Sequence, residues 1–211
     1  MMIEIVSPGL YRIAASARDE SASSPDAALI AIIFSFMAFE AAINDLTAHC
    51  NLPDLATNSD LIRKCAQVLL ELDEKQESVM LKVSMLYAIL GKSPLDRGAP
   101  PWQDFDSLIK LRNLIIHRRP IAGIFDSDAP YGVRLTQPKV LQALFAKKLI
   151  SEEEAKRQLW TNSVQKKEVA EWAVATSVSC FGAVLAILPE STPQEIMSQS
   201  YDKIRNQTKV A

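Results

Sequence analysis

The chain holds only two histidines, and one of them, His117, sits near the end of the run LRNLIIHRRP, Leu111–Pro120. Arg112 and Asn113 precede it, and Arg118 and Arg119 follow. These residue types can do chemistry together. Histidine ordinarily titrates near pH ~6.5, so it can take or give a proton at neutral pH. A guanidinium can grip an oxyanion, and an asparagine can orient either group without titrating. The bland alternative is a helix end whose cations favour the negative end of the helix dipole.

Position argues for more than a solvated helix end. At 100° per residue, Phe105, Leu108, Ile109, Leu111, Ile115 and Ile116 form a broad apolar arc, and Arg112 falls between the directions of Leu108 and Ile116. A guanidinium on an apolar face needs a carboxylate, a carbonyl cluster or a phosphate to offset its desolvation. Asn113 and His117 are one turn apart at the edge of the arc, while Lys110 points to the opposite, polar side. An acid interrupts the apolar stripe of an earlier helix: Glu40, in FSFMAFEAAIND, points among Leu29, Ile33, Phe36 and Ile43, with Asn44 one turn on. Two opposite charges on apolar faces are economical if they meet, so a Glu40–Arg112 contact is expected.

The elements that must position these residues follow from periodicity and breakers. Ser24-Pro25-Asp26 opens a long helix that runs to about Asn51. DLIRKCAQVLLELDEK and ESVMLKVSMLYAIL are the next two helices, the second ending at Gly91. Ser93–Pro101 is a loop rich in breakers, and DFDSLIKLRNLIIH is closed by Pro120. From Ile121 to Val164 the character changes: a small hairpin and then two short helices, PKVLQALFAKKLI and SEEEAKRQLW, the latter opened by a Ser151/Glu154 capping box. KKEVAEWAVATSVSCFGAVLAIL is the last long helix, and a terminal helix begins with a capping box at Thr192–Glu195. MIEIV is too short to establish a strand. The expected fold is all-α: one domain over 1–211, a bundle of four to five main helices, with a mixed insertion at about 121–164 before the last core helix.

Composition narrows the classes. The chain has 211 residues, 48% hydrophobic and 23% charged, with a formal net charge of −2, which gives no global sign of nucleic-acid binding. A local basic strip remains compatible with that total. Cys50, Cys65 and Cys180 show no zinc spacing and read as reduced, buried thiols in a cytosolic protein. His49 reads as a helix-end cation, and the three tryptophans as core or loop anchors. The N-terminal stretch lacks the pattern of a signal peptide. Ala27–Phe39 and Trp172–Leu188 are apolar, but read as helices buried in a soluble core; no membrane association is expected. Glycine-rich phosphate loops, GxSxG elbows and HExxH are absent, and no metal site or cofactor is expected.

The run from Arg112 to His117 fits R-x4-H with a polar residue directly after the arginine. It resembles the signature of the HEPN superfamily (higher eukaryotes and prokaryotes nucleotide-binding domains). The layout is similar too: a long early helix with an acid, the motif near the end of a later helix, and a final alanine-rich helix. The resemblance covers about Ser24–His117 and Lys166–Leu188. It implies metal-independent RNA cleavage by attack of a ribose 2′-OH, usually in a homodimer that brings two motifs together. Carried onto this sequence, Arg112 is the phosphate clamp, His117 the acid/base, Asn113 the positioner and Glu40, with Asn44, the support. Arg118, Arg119 and Lys110 would hold flanking phosphates. The family is common in toxin–antitoxin and antiphage systems, so a cytoplasmic location and an antitoxin or regulatory protein partner are expected. The alternative is a non-catalytic module of the same type that binds RNA, a nucleotide or a protein.

Overall fold

The computed structural model of the chain describes residues 5–52, 60–91, 93–117, 123–125, 133–135, 138–157 and 159–208. The architecture is all-α. Its long elements are α1 (Ser7–Glu20), α2 (Pro25–Cys50), α3 (Asp60–Glu74), α4 (Val79–Leu90), α5 (Trp102–Ile116), α9 (Lys167–Leu185) and α10 (Thr192–Thr208). Between α5 and α9 lie a two-stranded hairpin, β1 (Gly123–Phe125) and β2 (Val133–Leu135), and three short helices. These are α6 (Val140–Ala146), α7 (Glu152–Arg157) and α8 (Trp160–Val164). The strands pair antiparallel with Ile124 opposite Arg134.

α2 is the central post. α1, α9, α5, α3 and α4 all pack on it, and its small residues Ala28, Ala31, Ala38 and Ala42 are fully buried. Alanines let neighbouring backbones approach closely, which is why one helix can carry so many partners. α2 and α9 are both long and apolar enough to cross a membrane. Of their most apolar stretches, 56% and 61% are buried inside the fold.

A polar knot fixes three of these helices. The Ser177 hydroxyl of α9 donates to the Ser35 carbonyl of α2 at 2.6 Å, and its oxygen lies 3.0 Å from the Tyr11 hydroxyl of α1. Tyr11 in turn donates to the Ser177 carbonyl at 3.2 Å. All three side chains are buried, so each bond avoids an unsatisfied polar group in the core. α10 closes over α9 at Gly182, where a Cβ would come within 2.7 Å of the Tyr201 hydroxyl.

α1 is a helix that periodicity and breakers alone do not announce. Pro8 and Gly9 stand in its first turn, yet Ser7-Pro8 carries the same start signature as Ser24-Pro25. Proline is tolerated there, because its missing N–H has no helical acceptor to lose. No side chain of its own caps α1. The carboxylate of Asp45, on α2, accepts from the backbone N–H of Ser7 at 2.9 Å and of Val6 at 3.3 Å. A buried anion at the positive end of a helix offsets its own desolvation there.

Elsewhere the expected elements form with small shifts. Ser78 caps α4 by accepting from the Leu81 N–H, and Gly91 ends it. At α10 the cap lies one residue earlier than expected, with the Gln194 N–H donating to Ser191. The stretch read as an insertion does not stand apart from the bundle. Leu141, Leu144, Trp160 and Val164 from its short helices belong to the main core.

Candidate functional site

α5 leans on α2 through rings. Phe105 stacks on Phe36 with centroids 5.9 Å apart and meets Phe39 edge-on at 4.5 Å, while Trp102 meets Phe39 edge-on at 6.1 Å. Of these two α2 rings Trp102 meets Phe39, whereas Phe105, one turn on, touches both, so α5 climbs toward the start of α2. Arg112 lies farther along the same side, and its guanidinium rests over the Phe36 ring, 4.8 Å from the centroid. Phe105, Leu108 and Leu111 are fully buried, Ile109 and Ile115 half-buried, and Ile116 exposed. Arg112 occupies the border between the buried and open sides of the apolar arc, and is itself half-buried.

The expected Glu40–Arg112 contact is not made within the chain. Phe36 takes the place beside Arg112, and Asn113 accepts from its Nη1 at 3.0 Å. Glu40, one turn beyond Phe36, is half-buried at the edge of α2's open face. Among the described residues, neither charge has an ion-pair partner, and the Arg112 Nε is buried without a hydrogen bond. Asn44, the other expected support, is engaged elsewhere. It accepts from Lys82 Nζ at 3.1 Å, while that buried ammonium also pairs with Asp73.

Asn113 and His117 are exposed, and His117 ends α5 as its C-cap. Its backbone N–H donates to the Asn113 carbonyl at 2.9 Å, which holds the two residues one turn apart on one side. Arg112 reaches toward that side through its bond to Asn113. The result is a ledge at the end of α5 with an exposed carboxamide and imidazole, and with the half-buried guanidinium tied to the carboxamide. Lys110 is exposed and paired with Asp106 at 2.5 Å. Arg118 and Arg119, expected to hold flanking phosphates, lie outside the described residues.

Other chemistry-bearing groups serve the core. His49 lies in the last turn of α2, the helix-end position expected of it, but it is buried, and its Nδ1 donates to the Asp45 carbonyl at 2.7 Å. Cys50, Cys65 and Cys180 are free and buried, as expected. Trp102 and Trp160 are core anchors, and Trp172 is half-buried. An apolar crevice where α2, α3 and α4 meet, lined by Cys50, Cys65 and Leu86, contains none of the motif residues. Nor does an open cleft beside Phe145, Lys148 and Glu154.

Comparison with protein-family models, curated proteins and solved structures gives no match to this chain.

Proposed function

We propose that this protein is a HEPN-type endoribonuclease that cuts RNA without a metal ion. In this reading Arg112 clamps the scissile phosphate, Asn113 orients the clamp, and His117 moves the proton. The observation that carries it is the state of Arg112: a half-buried guanidinium, seated on Phe36 and steered by Asn113, with no carboxylate among the described residues to offset its charge. Such a group is a seat for an oxyanion. The neighbouring imidazole of His117 makes no side-chain hydrogen bond among the described residues and is open to solvent. The ledge suits a polymer better than a small metabolite, which binds best in an enclosing pocket.

The chemistry balances with these residues and solvent water, which serves the proton transfer that His117 does not. The ribose 2′-OH attacks the adjacent phosphorus and loses its proton to a base; the P–O5′ bond breaks and the 5′-oxygen is protonated. His117 serves one of the two proton transfers, and Arg112 stabilises the charge that builds on the phosphoryl oxygens. A cytoplasmic role in a toxin–antitoxin or antiphage system, with an antitoxin or other regulatory partner, belongs to the same reading. A second reading, a non-catalytic binding module, is favoured by the open apolar face of α2, which suits a protein partner.

Incubation with single-stranded RNA in excess EDTA tests the proposal. Wild type is expected to yield 2′,3′-cyclic phosphate and 5′-hydroxyl ends, and to spare RNA with a 2′-deoxy substitution at the cut site. His117→Ala should lose at least about 100-fold in rate, in line with general acid–base contributions. Arg112→Lys should also fail, since an ammonium lacks the planar fork. Intact RNA with wild type, or cleavage unchanged in His117→Ala, overturns the reading. Binding without cleavage would establish the second one.

A further inference from the structure

α6 ends in a turn that glycine usually makes. The Lys148 N–H donates to the Phe145 carbonyl at 2.9 Å and the Leu149 N–H to the Leu144 carbonyl at 3.0 Å, the paired bonds that close a helix around one left-handed residue. That residue is Lys148, with φ of 58°. A side chain is strained there, and glycine would make the same turn without that cost. Gln76 ends α3 in the same way but lines neither of the clefts described above, whereas Lys148 lines one. Strained positions cluster at active sites and ligand clamps.

The cleft is open and holds about 470 Å³, a size in the range of small-molecule sites. It lies between the end of α6, the first turn of α7 and the start of α9. Half-buried Phe145 and Leu149, with buried Ile150, give it an apolar wall. Of the four charges that line it, two are committed to each other: Lys166 pairs with Glu154 and holds that carboxyl below the usual carboxylate range. The other two, Lys148 and Glu168, are exposed and have no ion-pair partner among the described residues. One stands at the end of α6 and the other in the first turn of α9. The cleft thus offers an uncommitted cation and an uncommitted anion beside an apolar wall.

We infer that this cleft binds an α-amino acid with a large apolar side chain. The ligand carboxylate pairs with Lys148, its ammonium with Glu168, and its side chain rests on Phe145 and Leu149. Simpler classes answer only part of the lining. A phosphate or a dicarboxylate would set an anion against Glu168, and a polyamine would set a cation against Lys148. A neutral apolar ligand would take water from both charges and return nothing. None of the motif residues lines the cleft, so the inference stands whether or not the chain cuts RNA.

Calorimetric titration of the full chain with L-phenylalanine tests it. Saturable binding is expected, with phenylpropionate (no ammonium) and phenylethylamine (no carboxylate) each at least about tenfold weaker or undetectable. Lys148→Gly is the diagnostic variant, because it removes the ammonium and also relieves the left-handed turn. It should melt at or above the wild-type temperature while binding L-phenylalanine at least about tenfold more weakly. Glu168→Gln, at an exposed position, should melt as wild type does and weaken binding by a similar factor. No saturable binding at millimolar concentration, analogues that bind as L-phenylalanine does, or variants that bind as wild type does overturn the proposal. A Lys148→Gly variant that melts below wild type overturns it too, by showing that the lysine serves the fold.

Discussion

The Arg112 guanidinium lies over the Phe36 ring at 4.8 Å, and this contact rather than an ion pair fixes the arginine. A cation over an aromatic face at a partly exposed position contributes about 0.5–1 kcal/mol. Phe36 itself is buried and stacks on Phe105. Arg112→Ala is therefore expected to cost only about 1 kcal/mol in urea unfolding of the folded subunit, whereas Phe36→Ala should cost about 3 kcal/mol or more. Equal costs for the two variants would show that the arginine carries structure that the ring contact does not account for.

Asp45 should matter more than its place in the middle of a long helix suggests. Its carboxylate caps α1 from another element, through the Val6 and Ser7 N–H groups. Asp45→Ala is expected to destabilise by about 2 kcal/mol, the range for charge-assisted hydrogen bonds and helix caps. Amide exchange should accelerate selectively in the first turn of α1. Uniform acceleration across the fold would argue against a local cap.

Asp106 links stability to pH. Burial alone would push its carboxyl up, but Lys110 at 2.5 Å and Arg97 at 2.7 Å together hold it below the usual carboxylate range. A depressed folded-state pKa stabilises above the unfolded value, and that contribution is lost as pH falls through the folded value. Asp106→Asn should lower the urea midpoint modestly near neutral pH, and its gap from wild type should close on acidification. A gap that stays constant with pH would exclude the ion pairs as its cause.

The three thiols are expected to be chemically quiet. Burial pushes Cys50 up to about 12, with Cys65 nearby adding repulsion, and pushes Cys65 up to about 11. Cys180 is raised as well, by burial first and then by Asp104. At about pH 8, close to the ordinary thiol value of about 8.5, each stays protonated, and it is the thiolate that reacts. A disulfide reagent should label no thiol in the folded protein and all of them in strong denaturant. Rapid labelling of one cysteine in the folded state would reveal an opening that this packing does not contain.

Much of the helical frame is legible in the sequence because its signals are local. Ser24-Pro25, Ser78, Gly91 and the periodicity of Val79–Leu90 act within a turn or two, and they place α2 and α4 closely. That Arg112 stands on the apolar side of its helix is legible too, from angles alone. Its partner is not. Phe36 and Glu40 are four residues apart, so they share a direction on the helix and differ only in height. A helical wheel records angle and discards height, so it cannot say which of the two meets a side chain from a neighbouring helix. α1 stays hidden for a different cause. Its cap comes from Asp45, 38 residues away, and a breaker-rich start with no local cap offers little to read. The burial of His49 is hidden for a related reason: its position near a helix end says nothing of what packs over it.

The knot of Tyr11, Ser35 and Ser177 also sets a schedule. Its bonds join residues 166 and 142 positions apart, so α1 and α2 cannot finish packing until α9 has followed them from the ribosome. During synthesis the long apolar helix α2 waits with one flank bare, and long-range closure of this kind slows folding and prolongs exposure. A nascent chain stalled before Ser177 is thus the form of this protein most in need of a chaperone.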